Sequence, residues 1–245
     1  MIKKFNRYEL KYVINHKDYL ILSEELNELM KIDPFAKRDG FYAISSRYYD
    51  TFGHEAYRSK VDGVMYRRKL RIRVYPEHEK PIAFVEIKQR INKTVQKRRI
   101  CLSLEEADLL CKGYDIDLTG MDGTDIKISN EIRYLVKALH LRPACIISYR
   151  RKAYVGGRFD IGLRITFDLN LKYRIFNLSD ISDISRNKYF MPPDIHIMEI
   201  KANERIPIWL TSFLAKHQCT FTRVSKYCTG LRSGLISLEN KHTLT

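Results

Sequence analysis

Several short segments of the chain alternate apolar and charged residues with a period of two. Leu70-Arg71-Ile72-Arg73-Val74-Tyr75 alternates apolar residues with arginine. Tyr8-Glu9-Leu10-Lys11-Tyr12, Val85-Glu86-Ile87-Lys88 and Met198-Glu199-Ile200-Lys201 alternate them with glutamate and lysine. Successive side chains of a strand point to opposite faces, so each segment predicts a strand with one apolar and one charged face. Four such strands indicate a shared polar surface, such as the inside of a barrel that holds a polyanion and a metal.

The rest of the chain predicts further strands and helices. Strands are predicted over residues 5–14, 44–49, 65–75, 82–90, 94–102, 144–154, 163–171 and 195–201, and helices over 15–30, 103–112, 130–139, 207–216 and 225–238. Residues 50–53 are predicted to form a turn or the entry of a helix. Strands 82–90 and 94–102 should form an antiparallel hairpin through Ile91-Asn92-Lys93. Strands in hairpins with helices inserted between them predict an α+β fold with a closed antiparallel sheet. The strands are spread from end to end of the chain and no linker separates them, so a single domain over residues 1–245 is expected.

Composition and charge narrow the class of protein. Of the 245 residues, 44% are hydrophobic, which is enough for a core, and the formal net charge is +15, which favours anionic partners such as nucleic acid, anionic lipid or phosphorylated small molecules. Five scattered cysteines without a CxxC pair are typical of reduced thiols. The N-terminus has no signal-peptide pattern, and no apolar run approaches the roughly 18 residues of a membrane span, so a cytoplasmic protein is expected.

The row of basic residues in segment 65–75 has two interpretations. Arg67, Lys69, Arg71 and Arg73 share one face of the predicted strand. Such a row is often only a solvated basic face. However, closely spaced like charges repel, and guanidinium groups bind phosphate oxygens in bidentate fashion, so a phosphate site would account for the row.

The two Glu-x-Lys pairs also have two interpretations. Glu86-x-Lys88 and Glu199-x-Lys201 form either ordinary ion pairs within a strand or a carboxylate for a divalent metal beside a cation for phosphate. Because Mg²⁺ often takes only one or two protein carboxylates when phosphate supplies other ligands, the second interpretation needs no larger acidic cluster. The sequence contains no Gly-rich nucleotide loop and no spacing typical of a catalytic triad.

Taken in order, nine short segments between about Phe5 and Leu231 resemble the VTC domain, the polyphosphate polymerase domain of the vacuolar transporter chaperone complex. The segments are Arg7-Tyr8-Glu9-Leu10-Lys11-Tyr12, Tyr48-Tyr49-Asp50, Lys69-Leu70-Arg71-Ile72-Arg73-Val74-Tyr75, Phe84-Val85-Glu86-Ile87-Lys88, Lys97-Arg98-Arg99, Tyr149-Arg150-Arg151-Lys152-Ala153-Tyr154, Leu163-Arg164-Ile165-Thr166-Phe167-Asp168, Met198-Glu199-Ile200-Lys201 and Ser225-Lys226-Tyr227. The family belongs to the triphosphate tunnel metalloenzymes, whose CYTH relatives begin with ExExK. Arg7 stands where the first Glu of that motif would be, which favours the VTC branch and removes one candidate metal ligand.

The resemblance implies a tunnel of about eight antiparallel strands with helices packed outside. It implies transfer of the γ-phosphate of ATP to a growing polyphosphate chain, with Mn²⁺ or Mg²⁺ as cofactor. The implied catalytic residues are Lys11, Arg71, Arg73, Lys88, Arg151, Arg164 and Lys226, with Glu199 as metal ligand. The implied substrate-binding residues are Glu9, Arg67, Lys69, Glu86, Lys97, Arg99, Lys201 and Ser225. Lys97 or Arg99 matches one further basic position of the family, and Glu9 and Glu86 either orient neighbouring lysines or support the metal from a distance.

Two other functions fit the same residues. An inorganic or nucleoside triphosphatase of the same fold would use water, rather than a chain end, as the attacking group. A module that binds polyphosphate or nucleic acid without chemistry would also use the net charge of +15. Nucleic acid is not expected, because its binding surfaces rarely place Glu among the basic residues as Glu86 and Glu199 are placed. The sequence leaves open the oligomeric state, the preferred metal, the priming species and any membrane partner.

Overall fold

The structure, a computed structural model, describes residues 7–77, 82–92, 94–203 and 205–242, and this part of the chain is an α+β fold. Its strands are β1 (Arg7–Asn15), β2 (Lys31–Ile32), β3 (Phe41–Asp50), β4 (Tyr66–Val74), β5 (Ile82–Ile91), β6 (Thr94–Ser103), β7 (Arg142–Val155), β8 (Arg164–Arg174), β9 (Lys188–Tyr189) and β10 (Ile195–Asn203). Its helices are α1 (His16–Leu29), α2 (Glu55–Val61), α3 (Leu104–Cys111), α4 (Gly123–Ala138), α5 (Ile208–Lys216) and α6 (Lys226–His242). Residues 5 and 6 of the predicted first strand and Lys93 of the predicted hairpin turn lie outside the described residues.

The sheet is open, and the predicted closed barrel is therefore wrong. Its hydrogen-bonded order is β1-β10-β8-β7-β3-β4-β5-β6, with β2 added to β7 and β9 added to β8. Within the described ranges, no pairing joins β1 to β6, the first and last strands of this order. The alternation of side chains determines the two faces of a strand but not whether the edge strands of a sheet meet, which is why the sequence pattern could not settle closure.

The chain divides into two compact units, each assembled from separate chain segments. Unit 1 contains the described residues of Met1–Ala43, Tyr149–Leu171 and Met191–Ser225. Unit 2 contains those of Ile44–Ser148, Lys172–Phe190 and Lys226–Thr245. Because the chain passes between the units several times, neither unit is one continuous stretch of sequence. The single domain over residues 1–245 stays a prediction.

The core of unit 1 lies between its strands and helices α1 and α5. The buried side chains of β1, β8 and β10 on this face include Tyr12, Phe167 and Ile200, and they pack against Leu22 of α1 and Leu210 of α5. Asn15 caps α1, because its side chain accepts a hydrogen bond from the backbone N–H of Asp18 at 2.8 Å. The apolar halves of the alternating segments therefore face the helices, as the sequence pattern predicts.

The core of unit 2 lies between β4, β5 and β6 and helices α3 and α4. Ile72, Ile87 and Ile100 come from the three strands and are at most 1% exposed, and they pack with Leu110 of α3 and Ile132 of α4. Each fully buried side chain of this kind contributes about 1.5–3 kcal/mol of hydrophobic free energy. The opposite, charged face of these three strands is consequently not covered by α3 and α4.

Two helices differ from the sequence-based prediction. Helix α2 follows β3 where only a turn or a helix entry is predicted, and α4 begins at Gly123 rather than at residue 130. Asp122 caps α4 through the backbone N–H groups of Thr124 and Asp125, and this cap starts a helix despite the glycine that follows. In the described part of the chain, no helix has both the length and the apolar character needed to cross a membrane.

Candidate functional site

The charged face of β4, β5 and β6 in unit 2 is strongly basic. The side chains on this face alternate with the core residues of the same strands, so they point away from α3 and α4. The basic residues on this face are Arg67, Lys69, Arg71, Arg73, Lys88, Arg90, Lys97 and Arg99. Eight cations on three strands create a strong positive potential that favours an anionic ligand.

Three lysines lie directly opposite one another across the strands of this face. Lys69 of β4 pairs with Lys88 of β5, and Lys88 pairs with Lys97 of β6. Like charges at directly opposite positions destabilise a sheet, so an anionic ligand bound beside these lysines would relieve their repulsion. We name these three residues the lysine row.

The lysine row lies beside a buried carboxylate that contacts three cations. Glu86 of β5 is 2% exposed. The Nε and Nη2 atoms of Arg71 in β4 each lie 2.6 Å from the Oε2 atom of Glu86. Lys97 of β6 binds its other oxygen, Oε1, and the Nε of Arg73 lies 4.0 Å from Oε2. Arg71 also donates from Nη1 to the hydroxyl of Tyr48 at 2.8 Å. Residues from four strands, β3 to β6, therefore fix this cluster of charges.

The protonation of the cluster follows from burial and charge. Burial raises the pKa of the Glu86 carboxyl, but Arg71, Arg73 and Lys97 outweigh burial and hold this pKa well below its usual value. Burial lowers the pKa of the Lys97 ammonium to about 8, although Glu86 opposes the shift and 43% of the Lys97 side chain is exposed. Burial also lowers the pKa of Lys69, whose Nζ lies 3.5 Å from the Sγ of Cys228. Glu86 is thus ionised at neutral pH, and the pKa of Lys97 lies only slightly above neutral pH.

The start of α6 touches the same basic face within unit 2. The ring of Tyr227 stacks on that of Tyr48 at 4.8 Å, and its hydroxyl donates to Asp50 at 2.5 Å. The Nζ of Lys69 lies 5.0 Å from the centre of the Tyr227 ring. Lys226, a predicted catalytic residue, is the first residue of α6, and Ser225 precedes it.

Sequence reasoning did not assign Tyr48, Asp50, Tyr227 or Cys228 to the site. The segments Tyr48-Tyr49-Asp50 and Ser225-Lys226-Tyr227 were both part of the resemblance, so the signal was present. What the sequence could not supply is the contact between them, because Asp50 and Tyr227 are 177 residues apart in the chain.

Unit 1 also has a polar face, but its charges are balanced. One row across its strands pairs Glu9 of β1 with Lys201 of β10 and then with Arg164 of β8. Lys11 binds Glu9 at 3.0 Å, and Lys201 binds Glu199 at 2.8 Å. Each of these two lysines therefore has a carboxylate beside it.

Two predicted phosphate-binding arginines of unit 1 form ion pairs with aspartates. Arg151 of β7 binds both oxygens of Asp168 in β8, at 2.6 and 2.8 Å, and both side chains are buried. Arg164 binds Asp33 and donates to the hydroxyl of Tyr42 at 2.9 Å. Burial lowers the pKa of Arg151, but Asp168, Tyr149 and Glu199 together outweigh burial and raise this pKa above its usual value, so the guanidinium is charged. The structure thus supplies each of these two arginines with its own counter-charge.

The surroundings of Glu199 fit a divalent cation that takes most of its ligands from phosphate. Glu199 is buried and lies directly opposite Thr166 of the neighbouring strand β8. The Oγ1 atom of Thr166 is buried and makes no hydrogen bond to the described residues. An unpaired buried oxygen beside a carboxylate is a donor set that a hard cation accepts. In the ranges that the structure describes, no three His, Cys, Asp or Glu side chains group as a metal site, so phosphate oxygens or water would have to complete the coordination.

Two further predicted substrate-binding residues, Arg67 and Arg99, also lie on the basic face of unit 2. Arg67 lies opposite Arg90 of β5, and burial together with Arg90 lowers its pKa. Arg99 is exposed and lies opposite Glu86, with its guanidinium 5.1 Å from the centre of the Phe84 ring. Of the two basic residues in β6 whose register the sequence left open, Lys97 is the one bound to Glu86.

A comparison with a solved structure agrees with this fold. A crystal structure of a "putative adenylate cyclase" from Bacillus halodurans covers 89% of this chain and 92% of its own length, with a TM-score of 0.53 at 14% sequence identity. This identity is low, so the likeness shows the fold alone. A second structure, an N-terminal dehydratase from the difficidin assembly line, has a TM-score of only 0.12 at 9% identity, over 88% of this chain and 99% of that one, and carries no argument.

No curated protein matches the chain in a sequence search. A family model does match, and it is the model of the VTC domain, over residues 6–234. The match covers nearly the whole sequence, including the basic face of unit 2 and the polar face of unit 1. Because the family model spans the same segments that carried the resemblance, this chain belongs to the VTC domain family.

Proposed function

We propose that the protein is an ATP-dependent polyphosphate polymerase. In the proposed reaction, a terminal phosphate oxygen of the growing chain attacks the γ-phosphorus of ATP and forms a new P–O bond. The bond between the γ-phosphorus and the β–γ bridging oxygen breaks, and ADP leaves with that electron pair. The chain gains one phosphate, and no side-chain nucleophile is required.

The observation that carries the proposal is the lysine row. Lys69, Lys88 and Lys97 face one another across neighbouring strands that are spaced about 4.8 Å apart, so their charges extend over roughly 10 Å. A polyanion of that length relieves the repulsion among them, whereas a single small anion would relieve only part of it. A linear phosphate chain is therefore a ligand that suits this surface.

The arginines next to the row have a different task. Arg71 and Arg73 present planar guanidinium groups, which bind two oxygens of one phosphate and fix its orientation. Phosphoryl transfer depends mainly on such alignment and on the neutralisation of nonbridging oxygens. Lys69, Lys88 and Lys97 act as point charges along the chain. Membership of the VTC domain family supports these assignments.

Unit 1 supplies the proposed metal ligand and further cations. We assign Glu199, next to Thr166, to hold Mn²⁺ or Mg²⁺, and we assign Lys11, Arg151, Arg164 and, in unit 2, Lys226 to phosphate oxygens. A divalent cation held at Glu199 would supply positive charge to phosphate oxygens. Glu199 itself is oriented by Lys201, whose Nζ is 2.8 Å from its Oε1.

The test is an assay of products from ATP. Purified protein with ATP and Mn²⁺, or with ATP and Mg²⁺, should produce long phosphate chains that electrophoresis can size. Arg73→Ala and Glu199→Gln should abolish synthesis, because one removes a phosphate clamp and the other the metal ligand. Arg133→Ala is the matched control, since Arg133 lies in α4 and pairs with Asp115 away from the basic face.

The same assay separates the polymerase from its alternatives. Release of free phosphate or pyrophosphate without chains would show a triphosphatase. Binding of polyphosphate with no ATP turnover would show a binding module, whose affinity falls steeply with salt. Chains formed equally well by Arg73→Ala, Glu199→Gln and wild type would disprove the assignment of the site.

A further inference from the structure

We infer that Glu86 is a positioning residue, which binds no phosphate itself but holds Arg71 and Lys97 in the geometry that phosphoryl transfer needs. The inference rests on the proposed function. Its basis is that one buried carboxylate contacts cations from both neighbouring strands.

Arg71 is held at both edges of its guanidinium. Its Nε and Nη2 contact Oε2 of Glu86 at 2.6 Å, and its Nη1 donates to the hydroxyl of Tyr48 at 2.8 Å. An arginine on an exposed strand would otherwise sample many rotamers. Fixing the guanidinium in advance lowers the entropy cost of aligning a phosphate, and misplacement of such a group by about 1 Å can cost about 100-fold in rate.

Lys97 depends on the same carboxylate. Its Nζ binds Oε1 of Glu86, whereas the Nε and Nη2 of Arg71 contact Oε2. A single Glu86 side chain therefore connects β4 and β6 through β5 and sets the spacing between the guanidinium and the ammonium. Tyr48 completes the arrangement from β3.

The negative charge of Glu86 and its positioning of Arg71 and Lys97 should have opposite effects on the reaction. A carboxylate amid cations repels polyphosphate, so removal of this charge alone should strengthen substrate binding. Loss of positioning should instead slow the transfer step. These two effects act on different kinetic parameters, which makes the inference testable: binding appears in KM and positioning in kcat.

The experiment compares Glu86→Gln with Glu86→Asp. Glu86→Gln keeps the shape but removes the charge, and its amide can accept from only one of the two cations. Glu86→Asp keeps the charge but is too short to reach both. The matched control is Glu131→Gln, since Glu131 of α4 pairs with Arg98 of β6 on the opposite face of the sheet.

We expect both Glu86 variants to lose about 10-fold or more in kcat, while Glu131→Gln keeps the wild-type kcat. The KM for ATP should fall in Glu86→Gln and stay near wild type in Glu86→Asp, where the charge remains. A role in folding alone would lower the melting temperature without this split between kcat and KM. If Glu86→Gln does not fold, Glu86→Asp is compared with Glu131→Asp in its place.

The outcomes distinguish this inference from the proposed function. Wild-type protein that turns over no ATP would remove the proposed function, and this inference with it. Active wild-type protein combined with an unchanged kcat in both Glu86 variants would overturn the inference alone.

Discussion

Replacement of Lys88 by glutamine should stabilise the fold and weaken polyphosphate binding at the same time. Lys88 is the middle residue of the lysine row and has Lys69 on one side and Lys97 on the other. Lys88→Gln removes both repulsive pairs while it keeps a side chain of similar length. The same change removes a cation that the proposed function assigns to the substrate.

The magnitude follows from the two cross-strand pairs. Each directly opposite pair of like charges costs about 0.2–1 kcal/mol. The ion pair between Lys97 and Glu86 reduces the repulsion between Lys88 and Lys97. A gain of about 1 kcal/mol in the free energy of unfolding is therefore expected, which for a chain of this size raises Tm by about 2–4 °C. Loss of one charged hydrogen bond to phosphate costs about 1.5–3 kcal/mol, so affinity should fall about 10- to 150-fold.

The assay measures both quantities on the same protein. Thermal unfolding of wild type and Lys88→Gln is followed at low and at high salt, and tripolyphosphate binding is measured by titration calorimetry. The gain in Tm should shrink at high salt, because screening weakens the repulsion. Lys127→Gln is the control, since Lys127 lies exposed on α4 and not opposite other lysines.

Two results would refute this reasoning. A Tm of Lys88→Gln equal to or below that of wild type at low salt would show that the lysine row does not strain the unbound protein. An unchanged affinity for tripolyphosphate would show that the row is not part of the anion site. Lys127→Gln should change neither quantity, so a similar effect in both variants would point to net charge alone.

Two further predictions concern protonation and cooperativity. Because the pKa of Lys97 is lowered to about 8, its ammonium is charged at neutral pH and loses its proton as pH rises through this value. Affinity for tripolyphosphate should therefore fall from about pH 7 to about pH 9, with proton uptake on binding in that window, and calorimetry in two buffers should show that Lys97→Gln lacks both effects. If residues 1–245 are one domain, scanning calorimetry should show a single unfolding transition despite the two compact units, whereas two separate transitions would contradict the prediction.

The strands and their two faces could be read from the sequence because alternation is a local property. Leu70, Ile72 and Val74 were predicted to lie on one face and Arg71 and Arg73 on the other, and the structure confirms this. The start of α3 was also predictable, since Ser103 and Glu106 form a capping box that needs only four consecutive residues. Membership of the VTC domain family followed from the order of such local segments.

The contacts that make a site out of these strands depended on long-range pairing. The sequence showed Glu86 beside Lys88, yet the structure pairs Glu86 with Arg71 and Lys97 on the neighbouring strands. It likewise gave no sign that Asp168 would bind Arg151. These partners are set by strand register, which the hydrophobic pattern limits to one face but does not fix residue by residue.

By itself, therefore, the sequence determined the class of fold, the charged faces and the family. Only the tertiary structure decided that the sheet stays open, that three lysines stand opposite one another, and that one glutamate connects three strands. The physical reason is that side-chain direction repeats every two residues along a strand and is therefore a local property. The residues that lie opposite one another across a sheet are instead determined by pairing between distant parts of the chain.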